Sequence, residues 1–186
     1  PEPGFGRESR MKASDKYIDT TRKQVAEKIT PAGFERLYIS RTDLNENRGG
    51  VFGEHLIEQF MRENGYEIFH PQNYSSDEQL ARYAAARYIV SLDGSALHFA
   101  AYALKPGAKV GIIARRKSNV IDEIANQLRR FAQADVDVFD VIKKMWIKEG
   151  SRRIDYSSFG ELDLAGLSQM LLEQGFLVQT GKLENM

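Results

Sequence analysis

The stretch RYIVSLDGSALHFAAYAL, residues 87–104, changes its periodicity in the middle. RYIVSL (87–92) is a short, largely apolar run of the kind that forms a buried strand. Asp93, Gly94 and Ser95 interrupt it. SALHFAAYAL (95–104) then reads as a helix, stopped by the Lys105-Pro106-Gly107 turn. A buried strand that passes through small residues into a helix is half of a β-α-β unit. Such units build parallel sheets with right-handed crossovers.

The same alternation extends outward on both sides. RLYIS (36–40), YEIF (66–69), KVGIIA (109–114) and VDVFDV (136–141) read as further strands. Between them, residues 51–64 carry a helical apolar stripe closed by Gly65. Residues 75–86 open with Ser75 or Ser76 as a helix cap and acids in the first turn. Residues 119–134 are amphipathic. Five strands separated by helices predict an α/β fold: a Rossmann-like, doubly wound, mostly parallel sheet. Ahead of it, residues 1–16 read as a loop and 17–29 as a short helix ended by Pro31. We therefore divide the chain into a linker with a short helix (1–30) and one Rossmann-like lobe (31–186). In the tail, 143–159 reads as an extended strand and turn, 161–175 as a helix closed by Gly175, and 176–180 as a last short strand or a frayed end.

Composition narrows the function classes. The 186 residues carry 26 basic and 26 acidic side chains, so no chain-wide grip on nucleic acid is indicated. There is no cysteine, hence no disulfide framework or thiolate metal site. The three histidines, His55, His70 and His98, lack metal-ligand spacing, and no metal or cofactor is expected. No apolar run reaches the roughly 18–20 residues of a membrane span. The G-x-G-x-x-G, G-x-x-x-x-G-K-[ST] and G-x-S-x-G signatures are all missing. The first residue is Pro1 and not Met, which reads as a processed chain or an excised piece of a longer one.

Ligands of such sheets bind beyond the carboxyl ends of the strands. There the sequence places Ser40-Arg41-Thr42-Asp43, Asp93-Gly94-Ser95 and Arg115-Arg116-Lys117. Backbone N–H groups at residues 94–97 and a guanidinium fork from Arg41 suit an anion such as a diphosphate.

An ordered set of short motifs over 36–104 resembles the family 61 glycosyltransferases. It comprises LYISR (37–41), Arg48, Glu54 in FGEHL, GYEIF (65–69), DEQL (77–80) and YIVSLDGSALH (88–98). Asp93-Gly94 stands where many members have His-Gly, a departure that points to a bacterial branch. The resemblance implies the donor-binding lobe of a two-lobed GT-B enzyme of capsular or other surface polysaccharide biosynthesis. It implies inverting transfer from a nucleotide-sugar donor to a glycan acceptor. The general base would then lie in a missing N-terminal lobe of the same protein.

On that reading Arg41 neutralises the leaving diphosphate, with Arg48 and His98 as further catalytic candidates. Asp43, Glu54, Glu78, Gln79, Asp93, Gly94 and Ser95 complete the donor-binding candidates. Each has a plainer reading: Glu54 and Glu78 as charge complements of helix N-termini, Gly94 and Ser95 as packing, His98 as a satisfied half-buried histidine, and Arg115 to Lys117 as a solvated charge run. Trp146 reads as packing, or as a platform for the acceptor. The expected location is cytoplasmic, with any association with the inner membrane face supplied by other regions. The alternative function is a non-catalytic sugar- or nucleotide-binding module that scaffolds a polysaccharide assembly complex.

Overall fold

A computed structural model describes residues 13–178. Five strands form one parallel sheet: β1 (Arg36–Ile39), β3 (Glu67–Phe69), β4 (Tyr88–Leu92), β5 (Lys109–Ile113) and β6 (Asp135–Phe139), in the spatial order β3-β1-β4-β5-β6. All four neighbouring pairs run parallel. The strand order reverses between β1 and β4, the switch point at which doubly wound sheets open a ligand crevice.

Alternating side chains of these strands serve two cores, because successive residues of a strand face opposite sides. Leu37, Ile39, Ile89, Val110 and Ile112 pack on α3 (Ser76–Ala85), α4 (Ser95–Ala100) and α5 (Val120–Gln127). Tyr38, Val90, Leu92 and Ile113 pack on α2 (Glu54–Glu63) and α6 (Leu164–Glu173). The segment expected to precede the lobe is docked on it. α1 (Asp15–Lys28) buries Ile18 in the first core. From α1, Arg22 donates to the carbonyls of Leu104 (2.8 Å), Phe131 (3.1 Å) and Ala101 (3.4 Å). The residues expected at 1–12 lie outside the described ones.

The helical boundaries differ from the expectation where tertiary partners intervene. α4 stops at Ala100 instead of Leu104, and the Arg22 guanidinium satisfies carbonyls of the turn that follows. The helix expected over 119–134 is α5 followed by a π-helical turn, Leu128–Ala132.

A second sheet was not foreseen. β2 (Gly50–Val51), expected as the start of a helix, pairs parallel with β8 (Phe159–Leu162), and β8 pairs antiparallel with β7 (Ile142–Trp146). Residues 161–162, expected in the last helix, are therefore strand, and the helix starts one residue after Asp163. The Asp163 carboxylate caps it by accepting from Gly166 N–H at 3.2 Å. Phe176 and Leu177 form no strand but are buried in the second core.

Gly111 faces that second core. A Cβ there would stand 2.8 Å from the Phe139 ring and 3.2 Å from the Phe176 ring, both fully enclosed. Gly111→Ala is expected to destabilise the fold by about 1–3 kcal/mol through overpacking. Urea denaturation measures it, and a change below about 0.5 kcal/mol would show that the two rings yield freely.

Candidate functional site at the switch point

The carboxyl ends of β1, β3 and β4 surround a cleft of about 260 Å³. Its polar lining comes from Ser40, Arg41, Gln72, Gln79, Ser91 and Ser95, and its apolar wall includes Leu44, Pro71 and Phe99. Gly94 forms part of its edge.

Arg41 is the centre of the arrangement. Its backbone N–H donates to Glu54 Oε1 at 2.9 Å. Its Nη2 donates to the carbonyls of Arg48 (2.8 Å) and Gly49 (3.3 Å). Its Nε is buried and has no hydrogen-bond partner. Burial lowers the Arg41 pKa, while Glu54 and Asp93 act against that shift. The guanidinium lies beside Gly94, where a Cβ would come within 2.8 Å of Nη1.

Behind Arg41 stands a buried ion pair. Arg115 Nε lies 2.6 Å from Asp93 Oδ1 and donates to the Asp93 carbonyl at 3.0 Å. Asp93 is only 1% exposed, and its Oδ2 has no partner. Burial pushes the Asp93 pKa up against Arg115, Arg116 and Arg41, and pushes Arg115 down to about 10. Even at that value Arg115 is charged at neutral pH. At 2.6 Å its charge opposes the upward shift that burial imposes on Asp93. Arg115 Nη1 also donates to the Tyr156 carbonyl at 3.1 Å, so it joins β5 to the loop ahead of β8. Gly49 is needed at that junction. Its φ is +62°, and a Cβ would stand 2.5 Å from the Tyr156 oxygen.

Glu54, at the first position of α2, is buried and also accepts from Tyr38 Oη at 3.3 Å. Burial raises its pKa to about 7, with the Arg41 hydrogen bond and charge pulling the other way. One turn on, Glu58 accepts from Ser40 Oγ and from Thr42 Oγ1 (2.7 Å). His70 Nε2 lies 3.8 Å from Glu58, and His70 Nδ1 lies 3.3 Å from Asp43.

The structure therefore brings Arg41, Gln79, Gly94 and Ser95 to one cleft, with Glu54 and Asp93 buried alongside. Gln79 donates to the carbonyls of Pro71 (2.8 Å) and Tyr74 (3.0 Å) at the cleft wall. Other candidates stand elsewhere. The Arg48 side chain is exposed, and only its carbonyl reaches Arg41. Asp43 is exposed beside His70. Glu78 is exposed and closes a capping box with Ser75. His98 Nδ1 pairs with Gln127 on α5 and does not line the cleft. Arg115, read as part of a solvated run, is buried. Glu58 and His70 were not singled out. Among the described residues, no group of three or more His, Cys, Asp or Glu is arranged to hold a metal. No helix among them is long and apolar enough to cross a membrane.

Comparison with known proteins places the chain in a family. The family profile described as Glycosyltransferase 61 matches residues 7–111. The chain belongs to the glycosyltransferase 61 family. Membership supports a glycosyl-transfer function, and the matched residues include β1, β3, β4 and the Arg41 and Asp93 positions. The chain is also similar to a small ribosomal subunit protein uS4 of Cytophaga hutchinsonii, at 28% identity over 127 residues, 68% of this chain. It spans 61% of that relative's length.

Two outcomes follow from the buried charges. Asp93→Ala leaves Arg115 charged, buried and unpaired, and is expected to cost about 3–5 kcal/mol. Chemical denaturation checks this, and a loss below about 1 kcal/mol would mean that solvent reaches Arg115. Glu54 titrates at 4.5 when unfolded and at about 7 when folded, so between those values only the folded chain keeps the proton. Its contribution is present below pH 4.5 and is lost as pH rises through 7, by about 3 kcal/mol in all. Glu54→Gln keeps an acceptor for Arg41 N–H. It should gain stability relative to the parent between about pH 5 and 8. Parallel stability curves for the two proteins would overturn this.

Proposed function

We propose that the switch-point cleft holds the diphosphate of a nucleotide-sugar donor. The observation that carries this reading is Arg41. Its guanidinium lines the cleft and is gripped on one side by two carbonyls. Its buried Nε–H lacks an acceptor. A buried donor without a partner costs about 1–3 kcal/mol, a cost that a phosphate oxygen would remove. The cleft edge is backbone at Gly94, so a ligand can come close to Arg41.

On this proposal the acceptor hydroxyl attacks the anomeric carbon in an inverting step. The C–O bond to the diphosphate breaks as the new glycosidic bond forms. Arg41 meets the charge that develops on the departing phosphate oxygens, where preorganised donors contribute most to rate. Ser95 and Gln79 face the same cavity and are assigned to the rest of the donor. Asp93 and Glu54 act through Arg41: one electrostatically, the other by fixing its backbone N–H. Arg48 supplies a carbonyl to Arg41, and the roles first given to Asp43, Glu78 and His98 find no support in their positions. The reading includes no metal. Pairing with a second lobe that carries the acceptor, and a place in surface polysaccharide assembly, belong to the same proposal.

The name of the ribosomal relative offers another reading, as a component of a small ribosomal subunit. A net charge of zero gives that reading no chain-wide support.

Calorimetric titration of the chain with nucleoside diphosphates and their sugars tests the donor reading. One nucleotide series should bind, and Arg41→Ala should weaken it more than tenfold. Gly94→Ala should also weaken it while leaving the fold intact, because its Cβ displaces the flexible guanidinium and no backbone. No binding by the folded parent, or equal binding by all three proteins, would overturn the assignment.

A further inference from the structure

The second sheet carries a surface that the donor reading does not use. Trp146 on β7 is 44% exposed. It meets Phe52 edge-on at 6.0 Å, and Phe52 stacks at 5.5 Å on Phe159, the residue opposite Trp146 on β8. Beyond β7 the connection to β8 exposes Ile147, Ile154 and Tyr156, the last at 63%. Exposed large apolar side chains gathered on one segment of the chain point to an interaction site.

Basic side chains gather on β7 and the connection after it, while the facing strand β8 brings Glu161 opposite Lys144 and Asp163 follows it. Residues 142–156 hold five cations (Lys143, Lys144, Lys148, Arg152 and Arg153) against Glu149 and Asp155, in a chain whose net charge is zero. Asp163 pairs with Lys143, the ammonium of Lys144 sits 3.9 Å from the centre of the Trp146 ring, Trp146 Nε1 donates to Glu161 at 3.1 Å, and Lys148 donates to Asn47 Oδ1. Arg152 and Arg153 are exposed and make no ion pair among the described residues. A tryptophan and a tyrosine with exposed isoleucines between cations match the chemistry of the lipid headgroup zone. There, aromatic rings sit at the interface and each basic side chain is drawn to anionic lipid.

We propose that the β7–β8 hairpin, residues 142–156, docks this domain on an anionic bilayer surface. The apolar side chains enter the headgroup region while Lys148, Arg152 and Arg153 meet the lipid phosphates. The root of the hairpin is tied to the cleft. The Tyr156 carbonyl is held by Arg115, and its oxygen lies against Gly49, whose carbonyl Arg41 holds. Docking through this hairpin therefore orients the switch-point cleft relative to the membrane. The side chains proposed to meet lipid are not those assigned to the donor, so the two readings can fail separately.

The chain contains one tryptophan, so its emission reports this surface directly. The full chain would be titrated with vesicles of phosphatidylcholine, with and without phosphatidylglycerol. With the anionic vesicles, the emission should shift to the blue and be quenched by brominated lipid. Both effects should vanish at high salt. In Arg152→Glu/Arg153→Glu, the lipid concentration needed should rise more than tenfold. Circular dichroism would show that this variant remains folded. No shift with anionic vesicles, or equal binding to both compositions, would overturn the proposal. So would a shift that follows protein concentration without lipid, which means a second copy covers the face. A shift given by an RNA oligonucleotide and not by vesicles would overturn it as well. Nucleotide binding is measured separately, so failure here leaves the donor reading in place.

Discussion

The Asp93–Arg115 ion pair is the constraint on which the cleft depends. Asp93 directly follows one central strand, Arg115 follows the next, and both are removed from water. Such a pair contributes little net stability, because desolvation offsets most of the Coulomb attraction. What it does supply is position. Arg115 has donors left over once Asp93 is engaged. One of them captures the Tyr156 carbonyl, which seats the small sheet above the strand ends of the large one. The loop at Gly49 then packs under that carbonyl, and Arg41 finds its two backbone acceptors.

The Arg41 environment is built from two opposing demands. A guanidinium at the mouth of a cleft must be free enough to meet a ligand and fixed enough to do so without reorganising. Glu54 fixes the backbone N–H, Arg48 and Gly49 fix one amino group, and Gly94 leaves room beside the guanidinium because it has no side chain. The buried donor that remains is Nε. Glu54 stands at the N-terminus of a helix, where negative charge is favoured. Its burial nevertheless raises its pKa, so desolvation outweighs the helix dipole there.

The large sheet was legible in the sequence because its signals are local. Strand runs such as KVGIIA and the cap at Ser75 can each be read within a dozen residues. Side-chain roles that depend on neighbours far along the chain were not legible. Gly50–Val51 is a strand only because Phe159–Gly160 pairs with it. Arg115 looks like the start of a solvated charge run until the sheet order places β5 beside β4. Leu92 is then opposite Ile113, and Asp93 lies within reach of Arg115. A strand order drawn from the pattern, followed by a search for opposite charges just past adjacent strand ends, would have found the pair. His98 lies on the first turns of α4, and nothing in its local sequence shows that the helix turns it toward Gln127.

The parallel pairing of Gly50 with Phe159 also sets an order of events. Most contacts of the large sheet join neighbouring β-α-β units and form as the chain emerges. The small sheet must close a loop that spans most of the domain, and distant pairings of this kind form late. Until the segment around Phe159 has been synthesised, the Gly49 loop has no partner strand and the second acceptor for Arg41 is not held in place. During synthesis, then, this domain carries a formed scaffold before it carries a formed cleft. A chain ending before Phe159 would leave Arg41 with Glu54 and the Arg48 carbonyl, but with Gly49 unheld.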